Sequence, residues 1–552
     1  AELVERLATR YGDHPALAMW HVGNEFGCHV PASYDDESAA AFRDWLRERY
    51  TDIGTLNEAW STAFWSQRYT CFEEILPPRL APSYPNPAQQ LDFARFSDDA
   101  MLACYRAEAE ILRRITPGVR ITTNFLSLRK PVDVYKWAPF LDVVSVDNYP
   151  DPADPRAYLW SGLTYDIMRS AKGGQPWMLM EHATSAVNWR PVNPPQRPGQ
   201  LRVTSLQAVA HGADAVMFFQ WRASRGGAEK FHSGMVPHAG PDGRVFGEVK
   251  ALGAALAEVP DLAGTRVASQ VALLLDWESW WASELDSRPS ALTSQADALM
   301  SCYAPLFSRG MAVDVVHPDA DLSGYRVVVA CGLHLLRAAT AERLASWTRA
   351  GGRLVVTFGT GIVDERDQVH LGGYPGPLAP VVGAVVEEHV PLPAGESVAL
   401  ESGATGTIWS ERVLPRGAEV LDRFASGDMC TAASGDSGGT GASGVSGDLA
   451  GEPAVTRHGF GAGAAWYVAT RLDEESMGAV LDEALEAAGA EPVLPGLPPG
   501  VQAARRGDYL ILLNHGGEPR EVALPGEMVL PDGTAVTRAA LAGYGTAILR
   551  QG

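Results

Sequence analysis

Long apolar runs are missing from this 552-residue chain. No stretch approaches the ~20 uninterrupted apolar residues that a membrane-crossing helix requires, so no span is expected. Positive charge is scarce: 45 Lys and Arg against 66 Asp and Glu leave a formal net charge of −21. That balance argues against a polyanionic partner, whether nucleic acid or an anionic membrane surface. Cysteine is sparse and unpatterned. Cys28, Cys71, Cys104, Cys302, Cys331 and Cys430 form no CxxC pair and no dense framework, as expected of free thiols in a reduced, cytoplasmic protein. A secretory leader is not read either, because residues 1–15 resemble a helix end followed by Gly12-Asp13-His14-Pro15. Apolar content is ordinary, at 46% of the chain. Large cores are therefore possible, and the length suits about three or four domains.

Two glutamates stand out against this background. Glu25 closes the run Leu17-Ala-Met-Trp-His-Val-Gly-Asn24, and Glu181 closes Pro176-Trp-Met-Leu-Met. Each run has the length of a buried parallel strand. A carboxylate at its C-terminal end would lie on the face where α/β barrels build active sites. Two such carboxylates are the minimum for hydrolysing a glycoside, one as acid/base and one as nucleophile. The bland alternative for either is a strand-end cap or an Arg partner. Asn24 could hydrogen-bond a sugar 2-hydroxyl or simply cap its own strand.

Residues 1–262 alternate strand-like and helix-like segments, the signature of a parallel α/β fold. Helices are expected at 36–50, 93–115, 159–171 and 202–211. Strands are expected to end at Glu25, Asn124, Tyr149, Glu181 and Trp221. Polar or aromatic residues at these successive ends suggest one shared site and make Tyr149 a candidate substrate-binding residue. Trp189 offers an apolar face to a sugar ring, or ordinary packing. Glu229 and His232, on the loop after the last strand, could bind sugar hydroxyls. Their Glu-x-x-His spacing also suggests a metal, but no further ligand cluster accompanies it.

A closed barrel needs eight strands, and five are read here. Counted back from the last, they would be strands 4 to 8, and the chain is expected to lack about three β/α units, on the order of 100 residues. A second α/β region is expected over 266–490, with strands near 271–275, 311–316, 325–330, 353–357 and 465–470. Within it, the Gly/Ser-rich segment 426–453 is expected to be a disordered insertion. Asp276-Trp-Glu278-Ser-Trp280-Trp281 sits at a strand end and is rich in aromatics, which are enriched at interface cores, so this domain is expected to make subunit contacts. Residues 496–552 read as a small antiparallel β domain.

The segments Trp20-His-Val-Gly-Asn24-Glu25-Phe-Gly-Cys28-His29, Ala63-Phe64-Trp65-Ser66-Gln67, Met180-Glu181-His182 through Asn188-Trp189-Arg190, and Phe219-Gln220-Trp221-Arg222 with Glu229-Lys-Phe-His232 resemble glycoside hydrolase family 42 β-galactosidases. The resemblance implies a retaining mechanism with Glu25 as acid/base and Glu181 as nucleophile. It also implies galactose-binding roles for Asn24, Trp65, Trp189, Glu229 and His232, and a trimerising second domain. Two departures accompany it. Where some family members hold zinc with a cysteine cluster, this chain has Ser33, Asp35 and Ser38, so no metal is expected. A sugar-binding Arg that the family carries on its first three strands is absent from this sequence.

The combined expectation is an α/β protein: an incomplete (β/α)8 TIM barrel of strands 4–8, then a flavodoxin-like or glutamine-amidotransferase-like α/β domain, then the small β domain. The expected function is hydrolysis of terminal β-D-galactosides without cofactor by a homotrimer. The alternatives are an α-L-arabinopyranosidase, whose sugar lacks only the C6 hydroxymethyl, and a catalytically dead barrel that serves as an assembly or binding scaffold.

Overall fold

The computed structural model describes residues 1–426 and 449–551. After helix α1 (Glu2–Tyr11) comes strand β1 (Met19–His21), followed by α2 (Asp36–Tyr50) and the long α3 (Pro87–Ile115). Strands β2 (Arg120–Thr122) and β3 (Asn124–Leu126) are one run interrupted at Thr123. Then come β4 (Ser145–Asp147), α4 (Ala157–Ala171), β5 (Trp177–Glu181), α5 (Gln200–Ala210) and β6 (Ala213–Val216). All pairings are parallel: β1 with β2, and β3, β4, β5 and β6 in sequence order. Helices connect these strands, as parallel pairing requires. The strand interiors are apolar because both faces are covered; Ile121, Val146, Trp177 and Leu179 are fully buried.

Three strands end earlier than their apolar runs suggest. β1 stops at His21 rather than Glu25, because Gly23 takes a left-handed φ of 65° and turns the chain. β4 stops at Asp147, two residues short of Tyr149. β6 stops at Val216 rather than Trp221. The segment beyond it pairs instead with its own loop, the Met235 and Val236 N–H groups donating to the carbonyls of Gln220 and Trp221. Backbone groups that leave the sheet still need partners, and a loop supplies them.

The second region centres on β7 (Val271–Leu274), β8 (Val313–Val316), β9 (Val327–Ala330) and β10 (Arg353–Thr357), all parallel. They belong to a seven-stranded sheet that continues through Gly463–Val468 and ends in the antiparallel strands Pro453–Phe460 and Glu419–Arg423. The region is therefore a mixed sheet. The end of the Gly/Ser-rich segment also differs from expectation. Leu449 is fully buried and Pro453 opens an ordered strand; residues 427–448 lie outside the described residues. One apolar anchor fixes the chain there, and a proline at a strand's first position removes no needed donor.

The aromatic segment after β7 forms a short helix, α6 (Trp277–Ser283). Its Trp277, Trp280 and Trp281 are buried inside this chain, and the indoles of Trp277 and Trp281 donate to the carbonyls of Arg129 and Lys130. These rings therefore join the two domains of one chain. Residues 501–551 form a five-stranded antiparallel sheet that packs Tyr509, Ile511 and Leu513 against Val203, Leu206 and Val209 of α5.

Candidate active site

The site forms where the parallel strands give out. Residues 23–27 leave β1 in a tight bend in which Glu25 itself has a φ of 50°. A glutamate rarely adopts this left-handed backbone, and such strain collects at functional sites. Asn124, the first residue of β3, holds the bend by accepting the Glu25 N–H on Oδ1 at 3.0 Å. Glu181 is the last residue of β5. A register shift between β4 and β5 sets it opposite Asp147, and bulges of this kind re-aim side chains. Glu25, Asp147 and Glu181 thereby converge, each with a carboxylate oxygen within 4.8 Å of the others.

Aromatic side chains wall the Glu181 side. The Tyr149 hydroxyl donates to Glu181 Oε2 at 2.7 Å. Trp189 stands edge-on to Tyr149 with ring centroids 4.9 Å apart, and the His232 ring lies 5.3 Å from Trp189 and 5.0 Å from Phe219. His232 Nδ1 is 2.9 Å from the Ser233 carbonyl and must donate to it. Nε2 is therefore left as an acceptor, and it is buried without a partner among the described residues. Burial lowers the His232 pKa and keeps this neutral tautomer. Burial raises the Glu181 carboxyl above its ordinary range, the Tyr149 hydrogen bond opposes the rise, and the charges of Glu25 and Glu229 add to it. Across the site Asn124 donates to Asn24 Oδ1 at 3.0 Å, which leaves the Asn24 amide free to face a ligand.

The structure thus gathers Glu25, Asn24, Tyr149, Glu181, Trp189 and His232, with Glu229 close enough for its charge to act on Glu181 and His232. It does not bring Trp65 to them. That residue stacks on Phe64 at 4.8 Å and lines a separate cleft with Tyr84, Arg366 and Gln368. Two residues escaped the sequence reading. Asp147 was passed over because its strand was read on to Tyr149, two residues past the observed end. Asn124 was noted only as such an end, and its contact with the Glu25 backbone crosses 99 positions of sequence. The positions aligned with the zinc cluster are otherwise employed. Asp35 caps α2 by accepting the Ser38 N–H at 2.7 Å, and Ser33 donates to the same carboxylate.

Comparison with known proteins places this constellation. Residues 1–259 match a family model described as β-galactosidase, and residues 269–491 match the β-galactosidase trimerisation domain. The chain is 46% identical over 537 residues to a β-galactosidase of an Arthrobacter species, covering 96% of this chain and 74% of that protein. It is 43% identical to the β-galactosidase LacZ of Heyndrickxia coagulans, covering 93% and 75%. Among solved structures, the β-galactosidase of Bacillus circulans sp. alkalophilus superposes with a TM-score of 0.92 at 34% identity, covering all of this chain and 81% of that one. Gan42B, a GH42 β-galactosidase from G. stearothermophilus, gives a TM-score of 0.92 at 32% identity, covering all of this chain and 80% of that one.

Proposed function

The chain belongs to glycoside hydrolase family 42, the β-galactosidases, and from that premise we propose how its residues divide the reaction. Glu181 is the nucleophile. Tyr149 occupies its Oε2, leaving Oε1 to attack the anomeric carbon of a terminal β-D-galactoside. As that C–O bond forms, the glycosidic C–O bond breaks and the leaving oxygen takes the proton of Glu25. The Glu25 carboxylate then removes a proton from water, which attacks the same carbon and frees Glu181.

The observation that carries this reading is the spacing of the pair. Oxygens within 4.8 Å suit the ~5–5.5 Å carboxyl separation of retaining enzymes better than the ~6.5–9.5 Å that inversion needs for its intervening water. Asn24 would meet the 2-hydroxyl, Trp189 and Tyr149 the apolar face of the ring, and His232 Nε2 and Glu229 other hydroxyls. Trp65 remains a proposed galactose contact from outside this cluster.

The proposal extends to the rest of the molecule. The five parallel strand positions of residues 1–262 are consecutive strands of a (β/α)8 barrel, the sheet of 266–490 is flavodoxin-like, and the trimerisation domain assembles three copies. A cytoplasmic setting fits the five described cysteines, all of which are free.

Azide tests the assignment. Glu181→Ala should lose turnover, and added azide, entering from the vacated face, should yield α-galactosyl azide. Glu25→Ala should instead give the β-anomer from an activated substrate. A β-azide from Glu181→Ala, or no rescue, removes Glu181 as nucleophile.

A further inference from the structure

Three carboxyl groups share one small space, yet double displacement assigns work to two. The third, Asp147, is fully buried and lies opposite Glu181 across the β4–β5 register shift. Asn124 holds it. That amide is fully buried too, and all its hydrogen-bonding capacity is used. Its oxygen accepts the Glu25 N–H at 3.0 Å and faces His21 Nε2 at 2.8 Å. Its nitrogen donates to Asn24 Oδ1 at 3.0 Å and to Asp147 Oδ2. A flipped amide would set donor against donor at Glu25, so its orientation is fixed. One side chain therefore ties the backbone of Glu25, the side chain of Asn24 and the carboxyl of Asp147 into a single unit.

The remaining oxygen, Asp147 Oδ1, is buried with no hydrogen-bond partner among the described residues. An ionised carboxylate there would bear a desolvation cost and repulsion from two neighbouring carboxyls, whereas a protonated one bears neither. We propose that Asp147 is a positioning residue that stays protonated through both half-reactions. Its O–H donates to whichever of Glu25 and Glu181 is ionised, holding the pair in register without placing a second negative charge between them. In the free enzyme that acceptor is Glu181. In the galactosyl-enzyme Glu181 is esterified, and the O–H turns to ionised Glu25. No covalent bond to Asp147 forms or breaks. Burial first, then the charge of Glu181 and the proximity of Glu25, push its carboxyl well above the ordinary range, in agreement. The titratable groups facing it are Glu25 and His21 from the β1 end, Cys28 just beyond, Tyr149 past the end of its own strand, and Glu181 on β5.

This inference rests on the roles given above to Glu25 and Glu181. The test compares Asp147→Asn and Asp147→Ala with wild type in the whole enzyme, reading kcat and KM on a nitrophenyl β-galactoside against pH. Asparagine is neutral and still donates. Asp147→Asn should keep kcat within about threefold and hold the alkaline limb of kcat/KM, which reports loss of the Glu25 proton, within about 0.3 unit. Asp147→Ala cannot donate, and should lose about 10–100-fold in kcat with KM changed less than about threefold. If Asp147 works as an anion, Asp147→Asn removes a charge within 4.8 Å of Glu25, and the alkaline limb falls by about one unit or more. That shift overturns the proposal. So does an asparagine variant as impaired as the alanine one, or an alanine variant as active as wild type. If Asp147→Ala does not fold, the asparagine pH profile decides alone. Azide rescue of Glu181→Ala is read separately: rescue together with a shifted Asp147→Asn limb removes this inference and leaves the catalytic assignment standing.

Discussion

Tyr149 sets the charge on Glu181. Burial favours the neutral acid, and the proposed nucleophile must be ionised, so the 2.7 Å hydrogen bond from the tyrosine hydroxyl works against protonation. Its loss has a definite sign. In Tyr149→Phe the Glu181 pKa rises further, and the acid limb of kcat/KM, which requires ionised Glu181, should move to higher pH by about one unit, because a hydrogen bond to a charged group contributes about 1.5–3 kcal/mol. Activity at the optimum should fall by about 10–100-fold, most of it in kcat. The check is a pH–rate profile of the variant on the same nitrophenyl galactoside. An acid limb that stays put, or moves down, would show that the Tyr149 hydroxyl does not stabilise the anion.

At the scale of elements, α3 and α6 are clamped by buried charge. Arg95 of α3 is 4% exposed and donates to Asp92 at 2.9 Å, to Glu278 at 2.5 Å and to the Glu365 carbonyl at 2.9 Å. Arg337 meets the same Glu278 at 2.6 Å. Burial alone would raise the Glu278 carboxyl, but Arg95 and Arg337 outweigh it and hold the pKa at about 2. A folded pKa below the unfolded one stabilises above ~4.3, and that stability is lost as pH falls toward 2. Arg95→Ala would remove the buried cation that Asp92 and Glu278 share, leaving Asp92 to Tyr50, Trp60 and Arg49 and Glu278 to Arg337, and removing one partner of a buried pair costs about 3–5 kcal/mol. Because the clamp joins two domains, the variant should unfold in two resolved calorimetric transitions at neutral pH. A single transition at the wild-type temperature would refute the clamp. Little of it is visible in the sequence, since Arg95 and Glu278 are 183 positions apart. Elements whose signal is local were legible. The apolar spacing of Ala39, Phe42 and Leu46 marks α2 at 36–50, and the Val-rich runs mark β7, β9 and β10. Glu25 and Glu181 could be singled out because a carboxylate after an apolar run is a local contrast. Asp147 could not, because its meaning depends on a register shift between two strands. Nor could the destination of Trp277, Trp280 and Trp281, since hydrophobicity marks an interface without naming the partner.

At the scale of the whole molecule, the arc of parallel strands has two free sides. Among the described residues β1 pairs only with β2, and β6 only with β5. Apolar groups stand open near both sides: Leu3, Leu7 and Tyr11 along α1, and Met217 and Trp221 after β6. Unpaired strand edges flanked by apolar surface seek other chains. The consequence reaches the chemistry, because Glu25 sits on the bend that leaves β1, a three-residue strand with one neighbour. Its position rests on Asn124 and on that single pairing, and a misplacement of about 1 Å costs on the order of 10²-fold in rate. A polypeptide of these 552 residues should therefore associate without reaching a defined size. Its turnover of a nitrophenyl β-galactoside should be about 100-fold or more below that of the Arthrobacter β-galactosidase, of which it covers 74%, although Glu25 and Glu181 are both present. Light scattering and steady-state kinetics on the two preparations, side by side, measure both parts. A monodisperse species with near-equal activity would mean that β1 and β6 hold the site without further partners.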